Sequence, residues 1–334
     1  MGSSVTAAAA TAATGATDEP AAPPRGTLGR YRVEREIGRG AMGALLLGRD
    51  PETGRPVALK TMALGREFEG DALTEVRQRF FREAESAGRL RHPDIVTIFD
   101  VGEDRGLAYF AMEYLPGQDL QRHAQPANLL PVPVLLLIVA RVADALAYAH
   151  RQGVVHRDIK PANVMVDLAA DSVKVTDFGI ARIADASHTR TGVVLGTPSF
   201  MSPEQMAGQR VDGRSDLYSL GVMLFQLLCG RLPHQADSMS TLMRQIAQER
   251  APDIRSLRPQ LPEALADLVA MVLEKQPEVR PADGDRLALD LRLIAERMSG
   301  TAVAAPSAES AAEGEVFAAT VKFSRSDPGH NPPE

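Results

Sequence analysis

Tryptophan is absent from this 334-residue chain, aromatic residues make up only 4% of it, and cysteine occurs once. With so few rings, its cores must be built from Leu, Val, Ile, Ala and Met. The single thiol, Cys229, excludes an internal disulfide and any cysteine-based metal cage. It sits in an apolar run, reads as small buried filler, and fits a cytoplasmic, reducing setting. An excess of basic residues is also missing. The formal net charge is −6 and the isoelectric point is near 5.7, which argues against a general nucleic-acid or membrane-surface binder. Long apolar runs are lacking as well. The longest, Val132–Ala140 and Leu217–Cys229, are too short to span a membrane and read as buried core helices. The first residues have neither a positively charged start nor an apolar signal core. Met1 to Thr6 match an N-myristoylation pattern. However, an Ala/Thr repeat follows, and the Ala-rich, Arg-rich composition looks bacterial, where that lipid is not expected.

What is present is ordinary for a folded soluble protein: 44% hydrophobic and 24% charged residues, with length for two or three modest domains. The two ends differ from the middle. Residues 1–28 are Ala, Thr, Gly and Pro with hardly a large apolar side chain, so they are expected to be disordered. Residues 299–334 return to Ala, Ser, Gly, Glu and Pro and are expected to form a disordered tail. The exception there is a short β-prone patch, Val316–Phe323, that carries Thr320. No internal repeat is present.

Between these ends, the chain is organised around His156–Gly179, HRDIKPANVMVDLAADSVKVTDFG. Asp158 lies in a short polar loop beside a cation, Lys160, and a carboxamide, Asn163. Two β-prone runs follow, Val164-Met165-Val166 and Val173-Lys174-Val175, separated by turn residues, which reads as a hairpin. A hairpin brings its outer ends together, so Asn163 and Asp177 converge as two oxygen ligands suited to a hard cation such as Mg²⁺. Asp158 then stands beside that site as a candidate base.

This stretch resembles the catalytic loop and D-F-G segment of protein kinases, two triplets in the family's order with Asn163 five residues after Asp158. The rest of the chain carries further parts of the same pattern. Gly38-Arg39-Gly40-Ala41-Met42-Gly43 is a GxGxxG run, a motif shared with dinucleotide-binding folds. Those folds need a helix after the glycines and an acid about 20 residues on. Here the flanks are β-prone and Lys60 stands in the acid's place, so the run reads as a hairpin turn whose backbone N–H groups approach phosphates. Val57-Ala58-Leu59-Lys60 follows as a strand with Ala58 and Lys60 on one face, matching the family's V-A-[I]-K with Leu59 for Ile. A helix over roughly Leu73 to Leu90 carries the apolar stripe Val76, Phe80, Ala84, Ala87 and Leu90. Glu83 falls on that stripe and Glu85 points away, so Glu83 is taken as the acid that pairs with Lys60.

The resemblance implies the remaining assignments. Glu113-Tyr114-Leu115-Pro116-Gly117 would be the hinge. Met112 would gate the pocket behind adenine, Glu113 and Leu115 would offer main-chain contacts, Asp119 would lie near the ribose, and Ile37 and Leu45 would complete the nucleotide pocket. Gly196-Thr197-Pro198 and Ser202-Pro203-Glu204 resemble the end of an activation segment, with Ser202 in place of the usual Ala. Asp216 would cap the backbone of the catalytic loop, and Arg280 would pair with Glu204. The resemblance, to the eukaryotic-like serine/threonine protein kinases of bacteria, covers about residues 29–298. It implies an α+β, bilobal protein-kinase fold: a small β-rich N-lobe over 29–115 with one key helix, and a larger, mainly helical C-lobe over 116–298.

The function implied is transfer of the ATP γ-phosphoryl to Ser or Thr hydroxyls of proteins. The cofactors would be ATP with Mg²⁺, or Mn²⁺ in its place. Asp158 and Lys160 would act at the transferred group, Lys60 and Glu83 would orient the phosphates, and Asn163 and Asp177 would hold the metal. Arg157 before the base implies a phosphate-receiving pocket, with Thr189 and Thr191 as autophosphorylation candidates and self-association as the route. A small-molecule kinase and a non-catalytic pseudokinase are the rival readings. The first generally lacks the Gly196…Glu204 platform. The second usually loses one of Lys60, Glu83, Asp158, Asn163 and Asp177, all of which are present.

Overall fold

The structure is a computed structural model and describes residues 26–40, 43–178 and 198–301. The N-terminal part is one antiparallel sheet built from β1 (Thr27–Leu28), β2 (Tyr31–Gly40), β3 (Gly43–Arg49), β4 (Pro56–Met62), β5 (Ile98–Asp104) and β6 (Leu107–Glu113). The spatial order is β1-β2-β3-β4-β6-β5. The β2–β3 pair is the glycine hairpin expected from the sequence, its last pairing being Gly40 with Gly43. Gly43 has a strict steric reason to be glycine, since a Cβ there would stand 1.8 Å from the carbonyl oxygen of Thr61. On β4, alternation places Ala58 opposite Met112 and Lys60 opposite Phe110.

After a short α1 (Leu64–Glu67), α2 runs over Gly70–Gly88 and buries Val76, Phe80, Ala84 and Ala87. The stripe read from the sequence is therefore the packed face, with Leu90 buried just beyond the helix end. Phe80 meets Phe110 at a ring-centroid distance of 4.7 Å and fixes α2 against the sheet. Glu85 is exposed and ion-paired to Arg89 one turn on, whereas Glu83 is half-buried.

The chain crosses from the first part to the second through residues 114–117, and Gly117 is forced by close approach. A Cβ on it would lie 2.4 Å from the Val166 carbonyl oxygen. Beyond the crossing, β7 (Gln118–Asp119) pairs with β8 (Val164–Asp167), and β8 pairs with β9 (Ser172–Val175) in a small antiparallel sheet. The hairpin read from Val164–Val175 is this β8–β9 unit. It is tied back to the N-terminal part where Val175 accepts from Val96 N–H at 3.0 Å and donates to the Asp94 carbonyl at 2.8 Å.

The second part is otherwise helical: α3 (Val132–Arg151), α4 (Pro203–Met206), α5 (Gly213–Cys229), α6 (Met239–Gln248), α7 (Glu263–Val272) and α8 (Gly284–Thr301). α3 is long and apolar enough to cross a membrane, contrary to the expectation that no segment reaches that length. It packs against α5 and α8, and 67% of its most apolar window is buried inside the protein, so it serves as a core helix. α5 is buried on nearly every side, as its continuous apolar character requires. Cys229 at its end is half-buried, and burial pushes its thiol up to about 11, which makes it a poor nucleophile at neutral pH. α6 and α7 were not expected from the sequence. The signals were there: Ser238 caps α6 by accepting from Thr241 N–H, and Leu265, Leu268, Val269 and Val272 form the buried stripe of α7.

One buried ion pair fixes α4. Arg280 grips Glu204 with two parallel bonds of 2.7 and 2.9 Å, and Ser215 Oγ donates to the same carboxylate at 2.6 Å. Burial raises the Glu204 carboxyl, but the Arg280 and Ser215 hydrogen bonds outweigh it and hold the group below the usual carboxylate range. The remaining guanidinium donors go to the carbonyls of Arg214, Glu274 and Lys275. The Tyr218 ring lies 4.9 Å from the guanidinium carbon. Ser202 forms a capping box with Gln205 at the start of α4, so the replacement of Ala by Ser has a structural use.

Next to this pair Lys275 contacts His234 Nε2 at 3.3 Å. Burial, then the neighbouring Arg280 charge, push the lysine down to about 8 from 10.5. Its charged form is therefore disfavoured in the fold. That penalty is complete below about pH 8 and is relieved as pH rises from 8 to 10.5, where the folded lysine has already lost its proton. Lys275→Met is expected to be more stable than the unmodified protein at pH 7, with the gap closing towards pH 10.5. Urea unfolding across that range measures it, and a pH-independent difference would contradict the account.

Candidate active site

The two parts of the fold enclose a cleft of about 910 Å³. Its lining brings together Ile37, Gly38, Gly43, Leu45, Ala58, Lys60, Met112, Glu113, Leu115, Asp119, Asp158, Lys160, Asn163 and Asp177, nearly all of the residues singled out from the sequence. Gly40 ends β2, and Glu83 is not among the described residues that line the cleft. Thr189 and Thr191 lie outside the described residues, as do the tip of the glycine turn and Thr320.

The upper wall is apolar. Ala58, Val96 and Met112 form a small cluster with Leu45, Tyr114 and Leu115 packed on it, a surface suited to a flat ring. Glu113 spends its side chain on structure. Its Oε2 accepts from Lys174 Nζ at 2.9 Å and from Thr97 N–H at 3.3 Å, linking β6 to β9 across the crossing. Sequence reading gives Glu113 only a main-chain contact and places Lys174 only in a β-prone run, without their pairing.

The floor is the loop His156–Asn163, and Asp216 organises it. This carboxylate is fully buried and accepts from His156 N–H and Arg157 N–H, each at 2.7 Å. His150 Nε2 stands 2.7 Å from the same group. With two successive amides held, Arg157 sits in the left-handed region at φ 71°, a conformation a non-glycine residue adopts only under such constraint. The His156 ring is buried, accepts from Asp158 N–H through Nδ1 at 3.2 Å, and therefore donates from Nε2 to the Thr176 carbonyl at 2.7 Å. It packs against Phe178 at 4.5 Å between ring centroids.

Asp158 thus emerges from a fixed backbone, and two donors hold its carboxylate. Lys160 Nζ lies 2.7 Å and Asn163 Nδ2 3.0 Å from Oδ2. Asn163 Nδ2 also donates to the Asp158 carbonyl at 2.7 Å. The amide orientation of Asn163 is fixed by these bonds, which leaves its Oδ1 without a protein hydrogen bond among the described residues. Its main-chain carbonyl accepts from Thr176 N–H at 2.9 Å, which sets the start of β8 beside the end of β9, as the hairpin reading requires. Asp177, next to Thr176, is also in the left-handed region, at φ 66°.

The ion pair at Lys60 falls on Asp177, with Nζ to Oδ2 at 2.7 Å, and not on Glu83 as the sequence suggested. A carboxylate and an unengaged carboxamide oxygen in one cleft are the hard-oxygen donors a Mg²⁺ or Mn²⁺ ion takes, so the residues present fit such a cation. The Lys60 ammonium neutralises Asp177 in this structure. Among the described residues no group of three or more His, Cys, Asp or Glu forms a metal cluster, so further ligands would come from a bound phosphate or from water.

The fold is bilobal, with an apolar upper wall and a floor carrying Asp158, Lys160 and Asn163 facing one cleft. The protein kinase domain family model matches residues 31–289, and the chain belongs to that family. It is 39% identical over 276 residues to serine/threonine-protein kinase pkn3 of Myxococcus xanthus, covering 79% of this chain and 50% of that one. It is 35% identical over 265 residues to serine/threonine-protein kinase PrkC of Bacillus subtilis, covering 79% and 40%. The chain thus spans between a third and half the length of the curated relatives it matches first. Among solved structures, the PknI kinase domain of Mycobacterium tuberculosis superimposes with a TM-score of 0.66 at 32% identity, covering 81% of this chain and 98% of that one. The bilobal kinase fold expected from the sequence is therefore the fold observed.

Proposed function

We propose that this chain is a serine/threonine protein kinase. The observation that carries the reading is the convergence of Lys60, Asp158, Lys160, Asn163 and Asp177 in one cleft, next to a substrate platform held by Glu204 and Arg280. In this reading the substrate hydroxyl approaches Asp158, whose carboxylate is oriented by Asn163 and Lys160 and takes the proton. A bond forms from the hydroxyl oxygen to the γ-phosphorus, the bond to the β–γ bridging oxygen breaks, and ADP leaves. Lys160 then lies beside the transferred group as a counter-charge. Lys60 moves from Asp177 to the α- and β-phosphates, with Glu83 as the partner that steadies it. A bound Mg²⁺ or Mn²⁺ ion supplies charge neutralisation at the phosphates, held by Asp177 and Asn163. Such catalysis is mostly positioning and electrostatic stabilisation.

The protein-directed reading is favoured over a small-molecule kinase by the platform itself. Ser202-Pro203-Glu204 opens a capped helix anchored to the second part of the fold, an investment that a metabolite does not need. We assign residues 29–298 to the kinase domain, the cytoplasm as its compartment and Ser/Thr-containing proteins as its substrates. Thr189 and Thr191 are assigned as autophosphorylation sites reached by self-association. Phosphopeptide mapping tests the last point, and unmodified threonines in a fully active protein would contradict it.

Labelled ATP with a generic protein substrate and Mg²⁺ tests the activity. Asp158→Asn is expected to keep its nucleotide affinity and to lose transfer on the order of 10²–10⁴-fold, the usual contribution of a general base. Asp177→Ala is expected to lose both transfer and Mg²⁺-dependent nucleotide affinity. Full transfer by Asp158→Asn would remove the base assignment.

A further inference from the structure

The peptide unit that joins Arg157 to Asp158 is held at both ends. Its N–H donates to His156 Nδ1 at 3.2 Å, and its carbonyl accepts from Gln205 Nε2 at 2.9 Å. The preceding amide, Arg157 N–H, is held by Asp216. Gln205 is the second residue after Glu204's proline, on α4, and lines the cleft. Its other amide atom is committed as well, because Oε1 accepts from Ser202 N–H at 3.0 Å while Gln205 N–H donates to Ser202 Oγ at 3.3 Å. One side chain therefore both closes the cap of the substrate-platform helix and grips the carbonyl that precedes the candidate base.

We propose that Gln205 is a positioning residue that couples the placement of α4 to the orientation of Asp158. The inference rests on the protein-kinase reading above. Arg157 occupies the left-handed region at φ 71°, and the orientation of the peptide plane after it is fixed by the bonds at its two ends. A rotation of that peptide plane would break the bond from Asp158 N–H to His156 and turn the Asp158 side chain away from the attacking hydroxyl. Displacement of α4 would pull on the same carbonyl, so a platform out of place gives a base out of line.

Chemistry distinguishes this role from plain helix capping. A capping box works with Glu as well as with Gln, because each offers an acceptor to the N-cap amide. A carboxylate cannot donate to the Arg157 carbonyl. If Gln205 only caps α4, Gln205→Glu should match the unmodified protein and Gln205→Ala should be the impaired variant. Under our proposal Gln205→Glu is impaired at least as much as Gln205→Ala, because it loses the donor and sets two acceptors against each other.

The experiment measures kcat and the KM for ATP of the full chain and of both variants with Mg²⁺, labelled ATP and a generic protein substrate, across pH. Both variants are expected to lose kcat by on the order of tenfold, as loss of a part-buried hydrogen bond that orients the base implies. The KM for ATP should change less than kcat. For Gln205→Glu the deficit should narrow from about pH 8 to about pH 5.5, as protonation of the carboxyl, ordinarily near 4.3 and raised by the facing carbonyl, restores a donor. A Gln205→Glu protein with the kcat of the unmodified chain at every pH overturns the proposal. Absence of transfer by the unmodified chain instead overturns the kinase reading on which it rests.

Discussion

The structure depends on one buried carboxylate. Asp216 is fully buried, and two peptide N–H groups and an imidazole converge on its carboxylate. A buried charge without such partners costs several kcal/mol. Hydrogen bonds to a charged acceptor contribute about 1.5–3 kcal/mol each, so the penalty is offset here only because all three donors are present. The same bonds hold Arg157 in its left-handed conformation, and that fold of the chain aims Asp158 into the cleft. Stability and geometry are therefore set by a single interaction.

Around this anchor the cleft is arranged by charge. Asp158 is flanked by Lys160 and Asn163, and Asp177 by Lys60. In each case a cation or amide stands where a phosphate or metal would alter the balance. The Lys60–Asp177 pair has a direct consequence for binding. Under the proposed kinase reading, a nucleotide bringing both phosphates and a cation would offer Lys60 a new anion and Asp177 a new cation, so the pair would exchange partners and leave no charge bare. Glu204 and Arg280 follow the same rule at the platform, where five donors of one guanidinium are all used.

The residues that sequence reading brought to the cleft are those whose side chains stand out in a local pattern. Asp158, Asn163 and Asp177 could be found because acids and amides at fixed spacings around a hairpin have few other reasons to be there. The α2 stripe was found through its helical period, and the β2–β3 hairpin through the β-prone flanks of its glycines. What escaped was held by backbone groups or by partners distant in the chain. Gln205 acts on a carbonyl 48 residues away, and Lys174 meets Glu113 across 61. Neither leaves a local pattern. The Lys60–Glu83 pairing was read from a stripe and a resemblance, whereas the observed bond depends on which acid comes nearest in space. α6 and α7 had readable caps and stripes but carried none of the motif residues that guided the reading.

The central claim is that the Asp216 carboxylate imposes the geometry of the catalytic loop. Asp216→Asn tests it most directly, since it keeps the shape and replaces one acceptor with a donor facing an N–H. The measurement is the rate of phosphoryl transfer from labelled ATP, beside nucleotide affinity and a native circular-dichroism spectrum. The account predicts a folded variant that binds nucleotide within a few-fold of the unmodified protein and transfers at least about a hundredfold more slowly, as loss of a charge-assisted bond plus a stranded buried donor implies. A folded Asp216→Asn protein that transfers at the unmodified rate would contradict it.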